Sequence, residues 1–143
     1  VPFRPPRECP MLKRILLPID PTTAEIWQPA IDTAVDLARK YAATIAVVWV
    51  APPVEGDPVA FVDVHMPALE AVVGERLPTD VATELHLRAD WGDPDREICN
   101  AAKALDADLI VMGTHGPHTG ETIAESNAAT VVLHAECSVY VVR

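Results

Sequence analysis

The stretch from Asp108 to Asn127, DLIVMGTHGPHTGETIAESN, combines residue types that proteins use to hold a phosphate group. It opens with a short apolar run that is typical of a strand buried on both faces. That run breaks at Gly113, and Gly116 and Gly120 follow. The segment Thr122–Glu125 has the form of a capping box, so we expect a helix to begin there or a few residues later.

Two interpretations of this stretch are open from these residues alone. A strand, a glycine loop and a helix N-terminus bring backbone N–H groups and a helix dipole to one point, which favours a nucleotide phosphate. An ordinary turn between a strand and a helix also uses glycines, which there only supply positive φ angles. His115 and His118 form a His-x-x-His pair, but no third ligand is in view and we expect no metal site.

The composition limits the classes of function. The chain has 143 residues, half of them hydrophobic, which is enough for one globular domain with a sizeable core. A formal net charge of −10 argues against nucleic acids and anionic membranes as partners, because both bind clustered Lys and Arg. The three cysteines have no metal or redox spacing, and the sequence shows no signal-peptide pattern, so we expect a cytoplasmic protein with reduced thiols.

Short apolar runs predict the strands of a sheet. They are Ile15–Ile19, Thr44–Val50, Thr83–Arg88, Leu109–Met112 and Ser138–Val142. The third run alternates polar and apolar residues, which indicates a half-exposed strand at a sheet edge. None of the runs is long enough to cross a membrane.

Helix patterns lie between these runs. The first follows a capping box at Thr22–Glu25, and either it begins near Gln28 with Pro29 in its first turn, or Pro29 kinks it. Residues 51–66 contain three prolines and a glycine and predict a long loop, with a short helix beginning at Pro67. The pair Asp93-Pro94 predicts the start of a third helix. The core-facing positions expected on the last helix are Ala128, Val131, Val132 and Ala135.

The alternation of strands and helices predicts an α/β fold with a doubly wound parallel sheet. Ligands of such folds bind beyond the carboxyl ends of the strands, where the direction of winding changes. The residues expected at that point are Asp20, after the first strand, and Gly113, after the fourth.

Several segments together match one known family. They are Pro18-Ile19-Asp20, Val50 at the end of the second strand, Gly92-Asp93-Pro94, Ala107–Gly116, and the tail from Cys137 to Arg143. On these motifs, residues 12–143 resemble a universal stress protein domain, and residues 1–11 are expected to form a flexible, proline-rich extension. The resemblance implies a Rossmann-like, adenine nucleotide α-hydrolase-like sheet of five strands in the order 3-2-1-4-5.

The resemblance also implies a stress-response or signalling module that binds ATP or AMP, with or without Mg²⁺. Nucleotide-binding members carry Gly-x2-Gly-x9-Gly-Ser, whereas this chain has Ser126-Asn127 in place of the final Gly-Ser. The stretch from Gly113 to Asn127 also contains no Lys or Arg, while Glu121 and Glu125 repel phosphate. The implied nucleotide contacts are Pro18, Ile19, Asp20, Val50, Met112, Gly113, His115, Gly116, Ser126, Asn127 and Ala128.

The last strand, Ser138–Val142, is expected to mediate a homodimer. It is apolar on both faces, and an exposed apolar edge is a liability unless another strand covers it. Dimers of this kind are common in the family that the chain resembles.

Two further hypotheses remain open. One is a family member that binds no nucleotide and acts through protein contacts, as the altered Ser126-Asn127 motif suggests. The other is an ATP-dependent enzyme, which ranks last because we see no catalytic residue and no second domain for a substrate. At most, we expect slow ATP hydrolysis.

Overall fold

The computed structural model of the protein describes residues 12–114 and 127–143. The elements in order are β1 (Arg14–Pro18), a 3-10 helix (Pro21–Trp27), α1 (Gln28–Tyr41), β2 (Thr44–Ala51), α2 (Pro58–Arg76), β3 (Thr83–Ala89), α3 (Pro94–Ala104), β4 (Leu109–Gly113), α4 (Asn127–His134) and β5 (Ser138–Val142). The expected N-terminal extension and the capping box at 122–125 lie outside the described residues. Among the described helices, none is long and apolar enough to cross a membrane.

The strands form one parallel sheet in the order β3-β2-β1-β4-β5, which confirms the predicted topology. Successive side chains of a strand point to opposite faces, so each buried strand feeds two cores. Ile15 and Leu17 of β1 join a core with α1 and α2. Leu16 joins a second core with α3 and α4. Helices therefore cover both faces of the sheet, as expected for a doubly wound fold.

The two central strands are tied together at their amino ends by Asp108, which precedes β4. Its Oδ2 accepts hydrogen bonds from the backbone N–H groups of Lys13, at 2.8 Å, and Arg14, at 3.0 Å. The register then pairs Ile15 with Leu109 and Leu16 with Ile110. Winding reverses between β1 and β4, and the carboxyl ends of two such strands are where ligands of doubly wound sheets generally bind.

The segment after β1 differs from the predicted capping box. A 3-10 helix occupies residues 21–27, and its N-cap is Asp20, whose side chain accepts from the N–H of Thr22. The helix α1 begins at Gln28 with Pro29 in its first turn, which confirms the first of the two alternatives for this helix. The box at Thr22–Glu25 is not used because Asp20, two residues earlier, supplies the cap.

The prediction for residues 51–76 was wrong. The helix α2 begins at Pro58, not Pro67, and spans 19 residues. Asp57 is its N-cap, accepting a hydrogen bond of 2.9 Å from the N–H of Ala60, and Pro58 fits the first turn, where no backbone donor is needed. Pro67 and Gly74 lie inside the helix and do not end it.

The prediction for α4 was wrong at two positions, one of them Ala135, which lies one residue beyond the helix. Ala128 and Val131 are buried as expected, but Val132 is 50% exposed. The reason is the position of α4 beside the edge strand β5, where no further strand of the described sheet covers its outer side. At the opposite edge, β3 is half-exposed along its length, as its alternating sequence predicted.

Candidate functional site

The carboxyl ends of β1, β2 and β4 lie side by side at one edge of the sheet, where the sequence predicted a ligand site. Pro18 pairs with Val48, and the N–H of Ile19 donates to the carbonyl of Val48 at 3.0 Å, so β1 stays in register with β2 up to its end. The strand β4 lies on the other side of β1 and ends at Gly113. Because β1 and β4 are parallel neighbours, their carboxyl ends lie at the same edge of the sheet. Asp20 and Gly113 are therefore both at that edge, and the two strands are about 4.8 Å apart.

Asp20 is held in place by its own helix cap. Its Oδ1 accepts from the N–H of Thr22 at 2.9 Å and from the Thr22 hydroxyl at 2.6 Å. The other carboxylate oxygen, Oδ2, accepts no hydrogen bond from any described residue. The arrangement leaves one oriented acceptor at the end of β1 that suits a ligand hydroxyl.

Gly113 is not required by the backbone or by the packing of the described chain. Positive φ angles occur at Gly56 and Gly92 among the described glycines, and not at Gly113. A Cβ placed on Gly113 would meet nothing closer than the Trp27 ring at 3.8 Å, which is ordinary contact. The interpretation that the glycines only supply positive φ is therefore wrong for Gly113.

Four of the implied contacts are core residues. Pro18, Ile19, Met112 and Ala128 are all buried, so they can offer a ligand mainly backbone atoms and the shape of the crevice floor. Val50 is partly buried and packs against the core shared with α3 and α4. Asn127 is the first residue of α4. The remaining implied contacts, His115, Gly116 and Ser126, lie outside the described residues.

Thr114 is a residue that sequence reasoning missed. It is 7% exposed, and its Oγ1 has no hydrogen-bond partner among the described residues. Its backbone N–H donates to the carbonyl of Val142 at 3.1 Å, which fixes it against β5. A buried hydroxyl without a partner costs about 1–3 kcal/mol, which makes it a candidate ligand contact. The sequence feature that could have identified Thr114 is its position as a polar residue directly after the apolar strand β4.

A groove of about 750 Å³ runs between α4 and β5, and we call it the α4–β5 groove. Its lining is mostly apolar, and Thr114, Tyr140 and Arg143 are the lining residues with polar side-chain atoms. Arg143 is exposed and forms no ion pair with the described part of the chain. The residues that line the groove are Thr114, Ala128, Ala129, Val132, Leu133, Tyr140, Val141, Val142 and Arg143.

The described cysteines are poor nucleophiles. Burial raises the pKa of the Cys99 thiol, and nearby Asp95 raises it further. Burial likewise raises the pKa of the Cys137 thiol. A thiol with a raised pKa is mostly protonated at neutral pH and reacts slowly. Within residues 12–114 and 127–143, no three His, Cys, Asp or Glu side chains are grouped so that they could hold a metal ion.

Comparisons with known proteins find relatives in sequence and in fold. Universal stress protein Sll1388 from Synechocystis is 34% identical over 76 residues, so the match spans 52% of this chain and about half (48%) of that relative. The structure of UspA from Lactobacillus plantarum has a TM-score of 0.72 at 23% identity, covering 92% of this chain and 98% of that one. The Archaeoglobus fulgidus universal stress protein in complex with dAMP has a TM-score of 0.67 at 19% identity, with coverages of 93% and 99%.

At these identities the solved structures show the fold alone. The family assignment rests on the sequence itself, since the model of the universal stress protein family matches residues 11–143. That match takes in every described element, including the strand ends that hold Asp20 and Gly113. The chain belongs to the universal stress protein family.

Proposed function

We propose that this protein binds an adenine nucleotide at the carboxyl ends of β1 and β4. The observation that carries the proposal is Gly113, which neither the backbone nor the packing of the described chain requires. Gly113 and the oriented carboxylate of Asp20 lie at the ends of neighbouring strands, at the same edge of the sheet. A glycine at the end of a strand, followed by a helix N-terminus, is the usual setting for a bound phosphate.

A solved relative supports the choice of ligand. The Archaeoglobus fulgidus structure, which shares this fold over 93% of the chain, is a complex with dAMP. The Oδ2 atom of Asp20, which accepts no hydrogen bond from residues 12–114 and 127–143, could accept one from a ribose hydroxyl. Val50 offers a partly buried apolar surface for a base at the end of β2. Nucleotide binding at this site does not depend on the family's final Gly-Ser pair, because α4 still begins with Asn127 and Ala128.

The experiment that tests the proposal compares two glycine variants by calorimetry with Mg-ATP and AMP. Gly113→Ala is expected to weaken binding about tenfold or more, because a methyl group then occupies the place of ligand atoms. Its thermal stability should stay within about 2 °C of the wild type, since the added Cβ makes only ordinary contacts.

Gly74→Ala is the matched control, because a Cβ at Gly74 meets nothing within 4 Å. It should bind nucleotide like the wild type and gain about 0.5–1 kcal/mol in stability as a mid-helix change. Wild-type affinity in Gly113→Ala, or equal losses in both variants, would contradict the proposed site.

We also propose that the protein is a homodimer through β5. This strand is at the edge of the sheet, and Tyr140 on it is 48% exposed. Leu133 on the neighbouring helix α4 is 79% exposed. An uncovered edge strand beside exposed apolar side chains favours pairing with the same strand of a second copy.

A family member without nucleotide, acting through protein contacts, is the second candidate function. The exposed apolar side chains of Val132 and Leu133 on α4 are the observation that favours it. The calorimetry above separates the two candidates, because this one predicts no saturable nucleotide binding by the folded wild-type protein.

A further inference from the structure

A small cavity at the amino-terminal edge of the sheet is lined by two of the three cysteines. Cys99 lies on α3, and Cys137 directly precedes β5. We call this space of about 190 Å³ the cysteine cavity. Because α3 ends and both β4 and β5 begin at this edge, the cavity is at the opposite end of the sheet from the proposed nucleotide site. The other residues that line it are Ala102, Lys103, Asp106, Ala107 and Glu136.

An ion pair links the two segments that carry these cysteines. Lys103 lies one helical turn after Cys99, on the same side of α3. Glu136 directly precedes Cys137, and its Oε1 is 3.6 Å from the Nζ atom of Lys103. Both charged side chains are exposed, so the pair adds little stability. It does show that the last turn of α3 and the chain before β5 are close neighbours.

The two thiols share one environment. Both are free and partly buried, and both pack against the core between the sheet, α3 and α4. Burial raises the pKa of the Cys99 thiol most, followed by the charge of Asp95 and then by that of Cys137. The effect of one thiol on the other agrees with their place in one cavity. No third His, Cys, Asp or Glu of residues 12–114 and 127–143 completes a metal site with them, so the pair is suited to chemistry between two thiols.

We propose that Cys99 and Cys137 form a reversible intramolecular disulfide by exchange with a small-molecule disulfide, such as glutathione disulfide. One cysteine thiolate attacks the small disulfide, forms a mixed disulfide and releases one glutathione thiolate. The other cysteine thiolate then attacks the protein sulfur of the mixed disulfide and releases the second glutathione thiolate. The protein gives up two electrons and two protons in all. The electrons reduce glutathione disulfide, and the protons go to the two glutathione thiolates.

The fold should favour this bond strongly over the same bond in the unfolded chain. Cys99 and Cys137 are 38 positions apart in the sequence, so the unfolded chain brings them together only rarely. The native state holds them at one cavity, and the disulfide and the fold therefore stabilise each other. The bond would also tie α3 to β5 around a segment that contains β4 and α4.

The test places the Cys9→Ser protein in glutathione redox buffers at about pH 8, where more of each thiol is ionised. The substitution removes the third thiol and leaves the proposed pair. Mass spectrometry should show a monomer that has lost about 2 Da, with both thiols consumed. The effective concentration of one thiol at the other, obtained from the ratio of oxidised to reduced protein, should be at least about tenfold higher in the folded protein than in concentrated urea.

Thermal unfolding gives a second readout. The oxidised Cys9→Ser protein should melt about 5–10 °C higher than the reduced protein, and dithiothreitol should reverse the shift. Cys99→Ser and Cys137→Ser in the same background are the matched controls, because each keeps one thiol of the pair. Neither can form the bond, so the oxidising buffer should change their melting temperatures by less than about 2 °C.

Four results would overturn the inference. They are thiols that stay free after about a day of exchange, glutathione adducts that persist on both cysteines, disulfide-linked dimers as the main product, and an effective concentration no higher in the folded protein than in urea. The measurement uses no nucleotide, so its outcome is independent of the proposed function.

Discussion

Asp20 combines a structural and a proposed binding role in one carboxylate. One oxygen caps the 3-10 helix after β1, and the other accepts no hydrogen bond from the described chain. The structural role orients the side chain before a ligand arrives, which reduces the entropy lost on binding. The two roles can be separated, because an asparagine is as good an N-cap as an aspartate but carries no charge.

For Asp20 we therefore predict different effects of two substitutions. Asp20→Ala should lower the free energy of unfolding by about 1 kcal/mol, while Asp20→Asn should change it by less than about 0.5 kcal/mol. Both should weaken nucleotide binding about tenfold, because a ribose hydroxyl loses a charged acceptor. Urea unfolding and calorimetry measure the two quantities, and wild-type affinity in Asp20→Asn would remove the carboxylate from the site.

Among the elements, α2 shows why a helix can be missed in the sequence. It buries only Leu69 and Val72, and it exposes Val59, Val62 and Val64, so its apolar residues form no single stripe. Periodicity is the main signal of a helix, and prolines at 52, 53, 58 and 67 suggested a loop instead. The buried strands were predicted because they are uniformly apolar over their whole length.

The N-cap of α2, Asp57, is predicted to contribute to the stability of the protein. Asp57→Ala should lower the free energy of unfolding by about 1 kcal/mol, because the N–H of Ala60 loses the partner it has at 2.9 Å. Asp63→Ala, an exposed position inside the helix, should have an effect within about 0.5 kcal/mol of zero. Urea unfolding measures the free energy of unfolding of both variants. Equal losses in Asp57→Ala and Asp63→Ala would mean that α2 does not begin at Pro58.

The start of α3 gives a prediction about pH. Burial raises the pKa of the Asp95 carboxyl above its usual value of 3.8, Thr130 lowers it by a hydrogen bond, and Asp93 raises it by repulsion. Folding therefore favours the protonated form, so the contribution of Asp95 to stability is largest below its unfolded pKa and falls as pH rises through its folded pKa.

We predict that Asp95→Asn stabilises the protein at pH 7 by about 0.5 kcal/mol, a value kept small because the carboxyl is partly exposed to solvent. The gain should disappear near pH 3, where the carboxyl is neutral in both folded and unfolded states. Thermal unfolding between pH 3 and pH 7 measures it, and a variant less stable than the wild type at pH 7 would contradict the assigned burial.

The candidate site shows the same division between what sequence patterns reveal and what only the fold reveals. Asp20 and Gly113 were predicted because each follows an apolar strand and because parallel strands end at one edge. Thr114 and Arg143 are 29 positions apart, and nothing in their spacing connects them. They line one groove only because β4 and β5 pair in parallel, with Gly113 opposite Val142.

For the whole molecule, the exposed edge at β5 predicts the oligomeric state. Tyr140→Lys should convert a dimer into a monomer at micromolar concentration, because a charged residue on an edge strand opposes pairing. Trp91→Lys is the matched control, since Trp91 is a 78% exposed aromatic residue after the opposite edge strand. Sedimentation velocity distinguishes the species, and a wild-type monomer or a dimeric Tyr140→Lys variant would contradict pairing through β5.

If the carboxyl ends of β1 and β4 form a working nucleotide site, the wild-type protein binds Mg-ATP at equilibrium, and isothermal titration calorimetry measures that binding. We predict saturable calorimetric binding with one nucleotide per subunit and a dissociation constant of roughly micromolar. No binding up to roughly millimolar ATP, by a protein shown to be folded by circular dichroism, would contradict the claim.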